Sequence, residues 1–146
     1  MAKKNKFKTQ TLDVLIDADA FVALIKKNDG NHKRAEKISD FLTKKGSFFY
    51  TTNFVFSETI TVLSQRVDHQ TAINFIDDFK NLEEVNLVPF DEEIKEMAIK
   101  IFKNQTSKNV SFVDCINMAV LKKYRWNTIF SFDKIYTKNG FKLASA

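Results

Sequence analysis

The sequence predicts a single α/β domain built on a mostly parallel sheet with helices on both faces. Three observations carry this expectation. Short apolar runs of strand length alternate with longer segments of helical periodicity, and that alternation calls for crossover connections and a sheet buried on both sides. The 146 residues suit one domain, and no repeat, low-complexity block or Pro/Ser-rich linker divides them. Hydrophobic residues make up 44%, enough for a core without disulfides or structural metal. Fifteen phenylalanines against one tryptophan predict that much of this core is aromatic packing, and one proline with three glycines leaves little room for long loops.

The elements follow in order. Residues 1–11 form a basic tail with Lys3, Lys4, Lys6 and Lys8, and no apolar run behind it makes it a secretory signal. The domain proper is assigned to 12–146. Leu12 to Ile16, ending on Asp17, reads as a buried strand, and Ala18 to Lys27 as a helix with Phe21, Leu24 and Ile25 on one side. Asn28-Asp29-Gly30-Asn31 is a turn. His32 to Lys45 reads as a second helix with the stripe Ala35, Ile38, Phe41 and Leu42, stopped by Gly46. Ser47 to Thr51 is the second strand, followed by helices over Thr52 to Arg66 and Gln70 to Phe79. Glu84 to Phe90 is the third strand, closed by Pro89, and Asp91 caps a helix running to Asn104. Ser111 to Tyr124 is a further helix, Asn127 to Ser131 the fourth strand, and Phe141 to Ala144 a short last strand.

Composition narrows the function classes. Cys115 is the only cysteine, so no intrachain disulfide forms, which suits a reducing cytosol. No apolar stretch approaches the roughly 20 residues that cross a bilayer, so the expectation is a soluble, cytoplasmic protein without a membrane partner. The net charge of +5 favours polyanionic partners, but surface lysines also serve solubility. Charge permits nucleic acid here without establishing it.

Four acids stand where acids are out of place. Asp17 and Asp133 each follow an apolar strand run; an N-cap or turn role is the alternative for both. Glu58 lies on the helical line through Val55 and Val62, where a buried carboxylate needs a cation or a hydrogen-bond network, unless the true centre of the stripe lies elsewhere. Asp114 completes the S-x-x-D capping pattern with Ser111, yet Asn117 shares its face among Phe112, Val113, Ile116 and Val120. Two of the acids thus end strands and two lie in the opening turns of helices. In open parallel sheets ligands bind outside the carboxyl ends of the strands, so all four acids can meet in one pocket there.

Four carboxylates so close would protonate or bind cations. Oxygen ligands without histidine or cysteine select Mg²⁺ or Mn²⁺ over zinc, and His32 and His69 have no ligand spacing and read as surface residues. Such ions typically complete their coordination with phosphate, and they activate water for phosphodiester hydrolysis. Lysines would hold the backbone while the acids hold the metal.

The motifs Val14-Leu15-Ile16-Asp17-Ala18-Asp19, Asn31-His32-Lys33-Arg34-Ala35, Tyr50-Thr51-Thr52-Asn53 through Glu58, Ser111-Phe112-Val113-Asp114, and Ile129 through Asp133 to Tyr136 resemble the PIN-domain family. They most resemble the VapC-like ribonuclease toxins of type II toxin–antitoxin pairs. The resemblance covers essentially everything after the tail. It implies a three-layer α/β/α sandwich with a sheet of four or five strands, and a Mg²⁺- or Mn²⁺-dependent endoribonuclease. Asp17, Glu58, Asp114 and Asp133 would be its catalytic and metal-binding acids. It further implies an RNA substrate, frequent homodimers, and a cognate antitoxin whose tail occupies the groove. The family often has Ser, Thr or Asn where this chain has Asp19, which leaves open whether Asp19 tunes the site or caps a helix. Asn53, Asn117 and Ser131 are candidate polar supports for the four acids.

Two other readings compete. Asp17-Ala18-Asp19 with Tyr50-Thr51-Thr52-Asn53 resembles a phosphatase of the haloacid-dehalogenase type, but that mechanism needs a positioned lysine and a late acidic pair, and it leaves Glu58 and Asp114 unexplained. A non-catalytic PIN-like domain that binds RNA or protein is the other; such domains typically lose one or more of the acids.

Overall fold

The computed structural model describes residues 12–146, so the basic tail lies outside the described residues. Five strands form one sheet: β1 (Asp13–Ile16), β2 (Phe48–Thr51), β3 (Val85–Leu87), β4 (Thr128–Phe130) and β5 (Lys142–Leu143). Their spatial order is β3-β2-β1-β4-β5, and every pairing is parallel. The helices are α1 (Ala18–Ile25), α2 (His32–Lys44), α3 (Asn53–Arg66), α4 (His69–Lys80), α5 (Glu92–Lys103), α6 (Phe112–Tyr124) and the short α7 (Ile135–Lys138).

The two-residue period of the strands sorts the core into two layers. On one face Val14, Ile16, Phe49 and Phe130 pack against α1 to α4; on the other Leu15, Tyr50 and Ile129 pack against α5 to α7. The chain runs outward from β1 to β2 and β3, then returns to place β4 and β5 on the other side of β1. Above β1 and β4 the connections therefore leave to opposite faces, which opens a crevice at that switch point.

Local chemistry sets most boundaries. Side chains of Asp17, Thr52, Asp68, Asp91 and Ser111 accept backbone N–H bonds at the starts of α1, α3, α4, α5 and α6. Gly46, with φ +72, takes the left-handed position after α2, and its N–H bonds the Thr43 carbonyl.

The structure corrects several expectations. β3 is three residues long because the ladder ends when the Val88 N–H bonds the Thr51 carbonyl, and Pro89 has no N–H to continue it. The helix α7 lies between the fourth and last expected strands, where no element was assigned. Phenylalanine clusters in one layer, where Phe21, Phe56, Phe75 and Phe79 form a group of tilted and edge-on rings, while the other layer holds the stacked pair Tyr50–Trp126 and the edge-on pair Phe54–Phe90. The opposite layer is mainly aliphatic, and Phe41, Phe48, Phe90, Phe102 and Phe112 are exposed. His69 is exposed as expected, but His32 is not a surface residue: Nδ1 stands 2.7 Å from the Ala23 carbonyl and docks the start of α2 on α1. No helix among the described residues is long and apolar enough to cross a membrane.

Candidate active site

The crevice above β1 and β4 is a cleft of about 350 Å³ whose wall carries Asp17, Asp19, Glu58, Asp114 and Asp133. These acids come from the ends of two strands and from three helices. They are spread over 117 positions of the sequence, and the parallel sheet delivers them to one edge.

Asp17 is buried at the junction of β1 and α1. Its Oδ1 accepts from the Ala18 N–H at 2.8 Å and from Asn117 Nδ2 at 3.3 Å, and its Oδ2 accepts the Tyr136 hydroxyl at 2.6 Å. A carboxylate has about four lone-pair sites, so three donors hold this one rigidly and leave roughly one site open. Burial, then the Asp19 charge, push the Asp17 carboxyl up to about 7, against the opposing pull of the Tyr136 and Ala18 bonds.

Asp114 completes a capping box with Ser111: its Oδ2 accepts the Ser111 N–H at 2.9 Å while Ser111 Oγ accepts the Asp114 N–H at 3.0 Å. The other oxygen, Oδ1, lies 3.3 Å from the Tyr136 hydroxyl. Asp133 is held through Oδ1 by the Ile135 N–H at 2.9 Å. Capping and cleft roles are thus not alternatives in Asp17 and Asp114: one carboxylate serves both.

Glu58 is the sixth residue of α3, a turn deeper than the opening turn expected for it. The buried line of α3 is Val55, Thr59 and Leu63, so Glu58 and Val62 sit on its edge and face the cleft. Glu58 is exposed overall, yet its carboxyl is raised by partial burial and then by the Asp114 and Asp19 charges.

Asp19 does not cap α1, since Asp17 does. Its Oδ2 accepts from Ser131 Oγ at 3.0 Å and from the Phe132 N–H at 2.8 Å, latching the end of β4 onto α1. Its Oδ1 is buried without a partner, and burial raises its carboxyl despite those two bonds. Ser131 is buried and also accepts the Asp133 N–H at 3.1 Å, so it joins two of the acids. Asn117 is fully buried against Asp17 and Tyr136. Asn53 is not brought to the cleft: Thr52 takes the cap of α3, and Asn53 stands exposed at the first helical position.

Three contributors escaped the sequence reading. Tyr136 is fully buried, donates to Asp17, accepts from Asn117 at 3.0 Å, and has its hydroxyl held un-ionised by burial and by Asp17 and Asp114. Its signal is weak: a tyrosine three residues after Asp133. Arg66 has a clearer one, since Glu58, Val62 and Arg66 recur at intervals of four and share one face of α3. Asp29 lies in the expected turn, where its Oδ1 accepts the Asn31 N–H at 2.8 Å, and it too lines the cleft.

The donor set fits a hard divalent cation. The wall offers carboxylate oxygens and no histidine or cysteine, and the ion pairs among the described residues involve Glu36, Asp91 and Glu93, none of the cleft's acids. Among the described residues no three of these side chains stand at the spacing of a finished cation cage. Among the described residues no lysine lines the cleft, so none of them supplies the positioned lysine of the phosphatase reading.

Comparison with known proteins agrees with this architecture. The sequence model of the PIN domain matches residues 14–142. The 23S rRNA-specific endonuclease VapC20 of Mycobacterium tuberculosis is 24% identical over 128 residues, covering 88% of this chain and 95% of that one. Its crystal structure, described as a Sarcin-Ricin loop cleaving toxin, superposes with a TM-score of 0.79 over 88% of this chain and 96% of that one, at 23% identity. DNA-bound VapBC from Salmonella typhimurium gives 0.64 at 12% identity, covering 91% and 97% of the two chains. A toxin–antitoxin complex from Klebsiella pneumoniae gives 0.59 at 12% identity, covering 84% and 88%.

Proposed function

This chain belongs to the PIN-domain family, and on that premise we propose that it is a Mg²⁺- or Mn²⁺-dependent endoribonuclease, the toxin of a toxin–antitoxin pair. The observation that carries the reading is the cleft itself: six carboxylates line one space at the switch point of a parallel sheet, and no cation among the described residues is paired to them. Asp17, Glu58, Asp114 and Asp133 would hold the metal, which when bound supplies Lewis-acid polarisation of the phosphodiester and activation of water.

The chain's own groups do the rest. The Tyr136 hydroxyl and the Asn117 amide hold Asp17 in one orientation, and Ser131 ties Asp19 to the backbone of Asp133. Asp19 adds negative charge behind the four acids, which favours cation binding. The acidic floor repels bare phosphate, so RNA would enter productively only once that charge is offset. VapC20 cuts ribosomal RNA by its description, and a structured RNA is the substrate class proposed here. An antitoxin partner is proposed by analogy with the Klebsiella complex, a homodimer from the family resemblance, and the cytoplasm as the place of action. The domain proper is taken as 12–146, with 1–11 as a basic extension.

The test is cleavage of a pool of structured RNAs with Mn²⁺, with Mg²⁺ and with chelator, beside Asp114→Asn. Asparagine can still accept the Ser111 N–H, so the capping box and the fold should survive. Metal-dependent cleavage lost in the folded variant is the expected result, and induced expression of the parent but not the variant should arrest growth. Cleavage that persists in chelator or in the variant overturns the mechanism. RNA affinity without turnover favours the binding-only reading, and unarrested growth with intact cleavage removes the toxin role alone.

A further inference from the structure

We propose that Arg34 and Arg66, one in the acidic cleft and one bonded to its wall, act together as a clamp on the RNA phosphodiester backbone. The inference rests on the RNA-cleaving reading above and assigns the residues that hold the substrate.

The chain carries only three arginines among its 23 basic residues; one lines the cleft and a second bonds a residue of its wall. Arg66 lines it directly. It stands two steps of four residues beyond Glu58 on the same face of α3, about 12 Å further along the axis. Helical side chains lean toward the N-terminus, so the Arg66 side chain leans back over the cleft. Arg34 reaches the cleft only through a residue of its wall, and itself lines a separate hollow with Lys37, Ile38 and Ala144. Its guanidinium lies over the Phe132 ring at 5.0 Å, and its Nη1 donates to Asn31 Oδ1 at 3.2 Å. Phe132 immediately precedes Asp133, and Asn31 lines the cleft wall.

These contacts orient Arg34 without using it up. One of the five N–H donors of a guanidinium goes to Asn31, and stacking on Phe132 leaves the in-plane fork open to an oxyanion. Neither arginine pairs with a carboxylate among the described residues, whereas Lys123 bonds both Asp91 and Glu93. A guanidinium fork matches two phosphate oxygens, which a lysine cannot do. With acids in the cleft and two open forks beside them, a phosphodiester chain entering the cleft would bring one phosphate to the acids and others within reach of the arginines. The arginine charges also offset the repulsion between floor and backbone.

The clamp predicts a particular kinetic pattern. With structured RNA and Mn²⁺, Arg34→Gln and Arg66→Gln should each raise KM about tenfold and leave kcat within about twofold, as expected of positioning through phosphate. RNA binding is read by anisotropy in the Asp114→Asn background, with salt titrated. Each arginine lost should make the logarithmic salt dependence shallower by roughly 0.7 to 0.9. Arg34→Lys and Arg66→Lys should restore that slope while recovering only part of the affinity, because charge returns without the fork. Arg125→Asn is the control, since Arg125 ends α6 at the far end of β4 with φ 58, a conformation asparagine accepts. Unchanged KM and salt slope in folded variants that still cleave RNA would overturn the clamp and leave the nuclease standing. A fall in kcat alone would overturn it as well, by assigning the arginines elsewhere. Absence of both RNA binding and metal-dependent cleavage in the parent would overturn the underlying reading together with the clamp.

Discussion

Without metal, the acid that ends β1 should destabilise the fold as pH rises, and its removal should relieve that cost. The Asp17 carboxyl is buried at 6% exposure, and burial followed by the Asp19 charge raises it from 3.8 to about 7. A raised carboxyl binds its proton more tightly in the folded chain than in the unfolded one. The associated stability is complete below about pH 4, drains away between pH 4 and 7, and is gone above that. A shift of this size corresponds to about 4 kcal/mol. For a chain of this length that is roughly 10 °C in Tm. Asp19 and Glu58 are raised as well and act in the same direction. The lowered surface acids Asp68 and Asp91 act oppositely, with stability lost as pH falls through their own acidic range. The window from pH 4 to 7 therefore belongs to the cleft. Asp17→Asn keeps an acceptor for the Ala18 N–H, and the Tyr136 hydroxyl can turn to accept from the new amide. In chelator at pH 8 the variant should melt higher than the parent, with a flattened pH dependence. Mn²⁺ should stabilise the parent by binding the folded state, and leave the variant almost unmoved. Thermal melts from pH 4 to 8, with chelator or Mn²⁺, read all of this. A variant that melts lower than the parent at pH 8 in chelator, or keeps the parent's pH slope, would refute the reasoning.

Two further substitutions probe the surroundings. Tyr136→Phe removes the hydroxyl that holds Asp17 and approaches Asp114; it should cost about 1–2 kcal/mol in stability and weaken Mn²⁺ binding by tenfold or more, measured by calorimetry, and unchanged Mn²⁺ affinity would remove Tyr136 from the site. At the start of α3, Thr52→Ala should cost about 1 kcal/mol by loss of the cap, whereas Asn53→Ala should stay within about 0.5 kcal/mol and leave RNA cleavage intact; a cleavage defect in Asn53→Ala would return that residue to the site.

The parts of the fold legible in the sequence are those governed by near neighbours. The starts of α5 and α6 were legible in Asp91 and in the Ser111–Asp114 pattern, where a side chain bonds backbone three residues on, whereas the caps at Thr52 and Asp68 went unread; the apolar runs of β1 and β4 declared their burial without help from the rest of the chain. The acids were legible for a related reason: a carboxylate directly after a buried strand has few places to go. What stayed hidden were contacts of long separation and choices of side-chain direction. Tyr136 meets Asp17 across 119 positions and Asn117 meets it across 100, distances over which no local pattern speaks. Asn53 misled because it sits one residue past Thr52, and the cap geometry turns it outward while its neighbour turns in.

The capping and catalytic readings of these acids looked like rivals in the sequence because each was treated as a use of the whole side chain. The structure divides the labour between oxygens and between bonds. Concentrating carboxylates in one partly dry cleft is unfavourable, as the raised Asp17, Asp19 and Glu58 carboxyls attest. What opposes that strain is a set of N–H donors, at Ala18 for Asp17, Phe132 for Asp19, Ser111 for Asp114 and Ile135 for Asp133. Three of these bonds lie at the first turns of helices, where the dipole also favours negative charge. An acid that did not bond the backbone nearby would protonate or swing away from its neighbours before any cation arrived. The local bonds that make each acid look structural are therefore what hold several of them together and aimed at one edge of the sheet.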